Sequence, residues 1–447
     1  MHFLKAGGPF GRHLRTWHVL SAFLMAMAVV AYFMLFPSNG ARSVPNSPCR
    51  PTDAAREDTP AASGPDLDLD GDGYVDLVYE IFDTENLDVI VVPGSEHGPD
   101  HDRMTVLTRD DLGVPDDIQT GDDLGRPTAA DLDEDGHTDL VVSGAAQVLW
   151  GGSKGPQADA AHGRVPLPGS GYFTAPIAGD FDGDTHTDLA VFRHSNEDQE
   201  LVVLRGPFER SGTPAQTVEI PSPVQDGASP VLVAGDANDD HATDLAVYDS
   251  PWDPPLLFTG GAHTASGLSK KLERLPQGEN VVFGDFDGDG RQDVATGRSF
   301  VDSDDEIDTP HRRGQVSVRY GKEPGKWTTM DGGDLEEGFG TELAAGDFDG
   351  DGCDDLAVQL TKKKEKGDAR IVVLRGGSEH GLGSEPWRAT ERSVPGDDAP
   401  ASGTLFAAHD WDGDRRAELA LLGGDRWWIT DGTDHDEASF PVAPSKK

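Results

Sequence analysis

The sequence predicts an all-β protein made of seven similar blades, each of four short strands. Three observations carry this. An aspartate-rich loop recurs seven times, and successive loops begin 49 to 63 positions apart. Short β-branched runs bounded by Gly and Asp flank the loops, and such runs mark strands. After residue 36, no long stretch sustains a helical period. A repeat of that length suits four short strands better than it suits an independent domain.

In each loop, acidic or amide side chains stand at positions 1, 3, 5 and 9, and the carbonyl of position 7 adds a further oxygen. That spacing wraps oxygen donors around one hard cation. Ca²⁺ takes six to eight such oxygens, and a glycine at position 6 permits the sharp reversal. Loop one offers Asp68, Asp70, Asp72 and Asp76 with the Tyr74 carbonyl. Loop two offers Asp131, Asp133, Asp135, Asp139 and His137 in the same roles. Loop five has Asp285, Asp287, Asp289, Asp293 and Arg291, and loop six has Asp347, Asp349, Asp351, Asp355 and Cys353. These four have glycine at position 6.

The other three loops depart from the pattern. Loop three has Asp180, Asp182, Asp184, Asp188 and His186, but Thr185 stands at position 6. Loop four has Asp236, Asn238, Asp240, Asp244 and Ala242, with His241 at the turn. Loop seven has Asp410, Asp412, Asp414, Glu418 and Arg416, with Arg415 at the turn. Non-glycine residues at positive φ are uncommon, and Asn238 removes a charge, so these three are the weaker sites. A single such loop reads as an ordinary Asp-Gly turn. Seven in register imply up to seven Ca²⁺.

Each repeat reads in order as a strand, metal loop, strand, variable turn, strand, Gly-Gly turn and weaker outer strand. Runs such as Pro230-Val-Leu-Val-Ala-Gly235 precede the loops, and runs such as Arg370-Ile-Val-Val-Leu-Arg-Gly-Gly-Ser378 close on the Gly-Gly turn. The strands are apolar almost without interruption, which implies burial on both faces between stacked blades. In a meander, alternate turns emerge on opposite faces. Metal loops and Gly-Gly turns therefore share one face. The turns at 194–199, 249–255, 301–314 and 361–368 lie on the other face, and such variable loops are where ligands usually bind.

The chain opens with Lys5, Arg12 and Arg15 before an uncharged apolar stretch at 17–36. Twenty such residues suffice to cross a bilayer, and the basic flank places the amino terminus inside. Residues 1–36 are read as a signal anchor, with a cleaved signal peptide as the alternative. Residues 37–64, rich in Pro, Ser, Ala and Asp, form a flexible linker, and 65–445 form the exported body. Cys49 and Cys353 are not read as a disulfide framework, and the Cys353 side chain is taken as incidental.

Net charge is −44, and ligand positions hold 27 of the 81 acidic residues. This excludes nucleic acid as a partner. Seven divalent ions would bring the charge of −44 to about −30. Gly151-Gly-Ser153-Lys-Gly155 fits a nucleophile elbow, but the surroundings are strands and the turn recurs at 94–98 and 377–381.

With these residues in view, the chain resembles the FG-GAP (VCBS-like) repeat family, which includes the propeller of integrin α subunits. Phe339-Gly340 followed by Ala344-Ala345-Gly346 and loop six carry the resemblance most closely, and it extends over about residues 65–440. It implies a seven-bladed β-propeller with calcium between the first two strands of each blade and a ligand surface on the opposite face. Leu124-Gly125 and Tyr172-Phe173 replace the Phe-Gly pair before loops two and three, and no apolar strand precedes Asp68. The expected function is a monomeric, non-catalytic binding or adhesion module outside the cell, with a protein or glycan ligand and membrane contact only through the amino-terminal helix. An extracellular hydrolase or lyase on the same scaffold, and a purely structural envelope protein, are the alternatives.

Overall fold

The computed structural model describes Cys49 and, with gaps at several turns, residues 67–443. The apolar stretch 17–36 and nearly all of the linker lie outside the described residues. Among the described residues, no helix is long and apolar enough to cross a membrane.

Seven antiparallel sheets of four strands form the seven blades. Blade three is representative. Its strands Tyr172–Gly179, Asp188–His194, Gln199–Arg205 and Gln216–Pro221 pair in chain order. Strand two is apolar from Leu189 to Phe192 because a neighbouring blade covers each of its faces. Leu189 and Val191 pack into the cluster shared with blade two, whereas Ala190 and Phe192 pack into the one shared with blade four. The two-residue period of a strand divides them. The outer strand is largely exposed, as its weaker pattern implies.

Blades two to seven repeat this order over 128–164, 172–221, 231–274, 280–331, 343–391 and 404–441. One apolar cluster fills each of the seven gaps between neighbouring blades. A fully buried Val, Leu or Phe contributes about 1.5–3 kcal/mol, so these gaps hold most of the fold's stability.

Blade one is built differently. Leu77–Phe82, Leu87–Val92 and Thr105–Leu107 form its outer three strands. The innermost place is taken by Leu124–Gly125, which pairs with Glu80 and Ile81. The segment that stands where other repeats have Phe-Gly thus serves the preceding blade. The ring closes by packing. Leu77, Tyr79, Ile90 and Val92 of blade one bury against Trp411, Trp427, Ile429 and Phe440 of blade seven. Tyr79 lies 5.0 Å from Trp427 between ring centres, and its hydroxyl donates to the Val442 carbonyl at 2.5 Å.

Candidate metal centres

The seven loops share one backbone course. In loop one, the position-1 carboxylate of Asp68 accepts from the N–H groups of Gly71, Asp72 and Gly73 at 2.7, 3.1 and 2.9 Å. The position-5 carboxylate accepts from the position-7 N–H in six loops at 3.1 Å and in loop seven at 2.8 Å. These bonds curl the loop so that its side-chain oxygens converge. An oxygen from each of Asp68, Asp70 and Asp76 lies within 4.8 Å of the others. The same holds for Asp131, Asp133 and Asp139, and for Asp410, Asp412, Asp414 and Glu418.

The three departing loops keep this course. Thr185, His241 and Arg415 take φ of 73°, 67° and 73°, against 84° to 92° for the glycines of the regular loops. Each still donates its N–H to the position-1 carboxylate, at 2.8 to 2.9 Å. A second left-handed residue, at position 4, was missed in the sequence. It is Gly71, Glu134, Gly183, Asp239, Gly288, Gly350 and Gly413 in turn. Its signal is the glycine that recurs there in five loops.

In loops one to six, position 9 ties the loop to its Gly turn. Asp355 accepts from Phe348 N–H at 3.2 Å and from Gly376 N–H at 2.8 Å. Asp76, Asp139, Asp188, Asp244 and Asp293 bridge in the same way. In loop seven, Glu418 accepts from Trp411 N–H at 2.9 Å. Metal loops and Gly turns therefore do lie on one face.

Burial, opposed by these backbone donors and reinforced by neighbouring carboxylates, raises the position-9 acids. Asp139 is pushed up to about 6, Asp76, Asp188 and Asp244 to about 7, and Asp293 and Asp355 to about 8. The position-3 acids point the same way. Asp133 and Asp182 have side chains only 6 % exposed, and Oδ1 of each is buried without a hydrogen-bond donor. A buried anionic oxygen with no donor is costly, and a cation among convergent carboxylates removes the cost. The donor set is all oxygen, which suits Ca²⁺ rather than a softer metal. The residues present fit the ion.

Arginines also reach these carboxylates, a feature absent from the sequence reading. Arg103 lies 3.8 Å from Asp70 and 3.6 Å from Asp72. Arg210 lies 2.6 Å from Asp133 and also pairs with Asp135. Arg205 pairs with Asp182 and lies 2.7 Å from Asp184, and Arg375 pairs with Asp349. Arg205 and Arg375 hold equivalent places, immediately before the Gly that caps position 9.

The cysteines require a correction. Cys49 and Cys353 form a disulfide across 304 residues, with Cα atoms 5.5 Å apart. The Cys353 side chain is therefore engaged, while its N–H donates to Asp351 as the loop requires. No spacing rule in a two-cysteine chain could reveal the pair, because the blades bring them together.

The Gly-x-Ser-x-Gly turn at 151–155 and the related Gly-Ser-Glu-His-Gly turn at 94–98 are hairpin ends on the metal face. The Ser95 hydroxyl donates to the Gly98 carbonyl at 2.7 Å, and Gly155 N–H to the Gly152 carbonyl at 2.9 Å. His137 and His186 sit at the rim, about two-fifths exposed, and His186 pairs with Glu134 of the neighbouring loop. Of the variable turns, 195–198, 250–252, 300–313 and 361–369 lie outside the described residues.

Comparison with known proteins places repeats on this geometry. An FG-GAP-like repeat matches residues 131–191, and the FG-GAP repeat matches 278–318 and 339–359. No match was found among curated proteins. Among solved structures, the chain is similar to one of an Agrocybe aegerita protein described as specifically recognising non-reducing terminal N-acetylglucosamine. Identity is 14%, covering 71% of this chain and 79% of that one, with a TM-score of 0.38. A likeness that loose carries no functional argument. The matched repeats begin at or span loops two, three, five and six, so the chain is a seven-bladed β-propeller that carries FG-GAP repeats at those positions.

Proposed function

We propose that this protein is an exported, calcium-binding propeller that acts as a non-catalytic binding or adhesion module at the cell surface. The observation that carries the calcium reading is the pair of buried position-3 oxygens, on Asp133 and Asp182, that lack any donor within convergent carboxylate loops. Tyr74, His137, His186, Ala242, Arg291, Cys353 and Arg416 would each add a main-chain carbonyl. Bound calcium supplies charge neutralisation and rigidity to a face rich in acidic residues. Extracellular calcium modules function with weak sites because the ion is abundant there.

The disulfide supports export, since such bonds persist in oxidising compartments. The ligand, a protein or a glycan, is assigned to the face opposite the metal loops, where the repeats differ most. The test is a glycan array and a cell-surface pull-down with the full chain, each run with calcium and with chelator. Calcium-dependent capture of a defined glycan or protein is expected. Turnover of a polysaccharide substrate, or no capture under either condition, would contradict the reading.

A further inference from the structure

The disulfide sits where the chain's amino-terminal segment meets the metal-loop face. Cys49 is fully buried, although it comes from a polar linker. Its partner Cys353 is position 7 of loop six. A methyl group on Gly288, position 4 of loop five, would come within 2.6 Å of Cys353 Sγ and 3.0 Å of Cys49 Sγ. The bond is thus wedged between loops five and six, on the face that carries the candidate ions.

We propose that the Cys49–Cys353 disulfide turns the metal-loop face toward the membrane and presents the variable face outward. The proposal rests on the reading of residues 17–36 as an uncleaved anchor. Between that stretch and Cys49 lie residues 37–48. Twelve residues reach at most about 40 Å fully extended, and a random coil of that length averages about 20 Å. A blade of four strands, spaced about 4.8 Å and rising about 3.3 Å per residue, is roughly 15–20 Å wide and 20–25 Å tall. To put the variable face against the bilayer, the segment would have to run out along the blade and down its whole height. That path consumes the entire extended length and leaves nothing to span the gap to the anchor. With the metal face toward the bilayer, the same residues need only their average span.

Without the bond the constraint disappears. The next described residue is Leu67, beside Asp68 of loop one, and the length of chain between it and the anchor is more than double that to Cys49. About 30 residues reach roughly 100 Å extended, enough for either face to approach the bilayer. The disulfide therefore does more than close a long loop. It selects which surface a partner in the surroundings meets. It also holds the acidic metal face within reach of lipid headgroups.

The test uses the full chain in lipid vesicles carrying a nitroxide quencher on the headgroup. A fluorescent amino acid is placed at Ser211, in an exposed turn on the metal-loop face, or at Asp253, in an exposed turn on the opposite face. Quenching several-fold stronger at Ser211 than at Asp253 is expected, and Cys49→Ser or Cys353→Ser should remove most of the difference. If either variant fails to fold, mild reduction of the unmodified disulfide gives the same comparison. Equal quenching at the two sites, stronger quenching at Asp253, or two freely alkylated thiols in the untreated protein would overturn the orientation. A chain that does not float with the vesicles overturns the anchor and the orientation together. Flotation with the wrong quenching pattern overturns the orientation alone.

Discussion

Asp355 illustrates how much one carboxylate does in each repeat. Its two oxygens accept from the Phe348 and Gly376 N–H groups. Asp355→Ala leaves two buried N–H groups unpaired and is expected to destabilise the fold by about 2–4 kcal/mol, read from denaturant unfolding. The same group has a raised pKa, about 8 against the ordinary 3.8, because burial and then neighbouring carboxylates disfavour its charge. Asp188 and Asp244 follow at about 7. A folded-state pKa above the unfolded value means that the metal-free fold binds extra protons. That stabilisation is complete below the ordinary carboxylate range and is lost as pH rises through about 6 to 8. Chelated protein should therefore melt lower at about pH 8 than at about pH 5, and added calcium should raise the melting temperature more at the higher pH. A melting temperature that climbs with pH in chelator would contradict this. Arg205 competes for Asp182 and Asp184. Arg205→Met is expected to tighten calcium at loop three in a calorimetric titration, and unchanged or weaker binding would show that the guanidinium does not oppose the ion.

At the level of the element, the unit is the metal loop together with the Gly turn beside it. Position 1 curls the loop, position 9 clamps it to the turn, and position 2 inserts an apolar side chain between blades. Leu69, Leu132, Phe181, Ala237, Phe286, Phe348 and Trp411 fill that place, none more than 5% exposed. Loop three shows that this unit tolerates strain. Thr185 sits at φ 73°, where a β-branched residue is unfavourable by roughly 1–2 kcal/mol. Thr185→Gly should therefore raise stability, by up to about 1 kcal/mol after the extra unfolded-state entropy of glycine is subtracted, with the loop's hydrogen bonds unchanged. The loop positions whose carboxylates converge and the order of the strands were legible in the sequence, because both follow from short-range spacing. The innermost strand of blade one was not. Leu124–Gly125 is two residues long, too short to show any period, and only its register with Glu80 and Ile81 makes it a strand. The arginine partners were equally hidden, since Arg210 reaches loop two from the neighbouring blade.

Across the whole molecule, the ring is held by contacts that sequence proximity does not supply. Blade seven meets blade one through Trp411, Trp427 and Phe440 against Tyr79, and among the described residues no strand is exchanged between these two blades. The Cys49–Cys353 bond fastens the linker across blades five and six. Continuous apolar runs revealed that the blades would be covered on both faces, but not which residues would close the circle. Of the 81 acidic residues, 27 stand at the candidate ligand positions of the loops on one face of this ring. Among the described residues, five of the loops have an arginine paired with one of their acidic side chains, which partly offsets the repulsion. Divalent ions would offset it further.

The central claim is that these loops bind calcium and that the ring depends on it. Native mass spectrometry of the full chain in detergent, titrated with calcium and then with chelator, tests it most directly. The expected spectrum has at least four and at most seven bound ions per chain, the number of regular loops and of all loops. Chelation should strip them and lower the melting temperature. A folded chain that stays free of metal in excess calcium, and melts at the same temperature with and without chelator, would contradict the account.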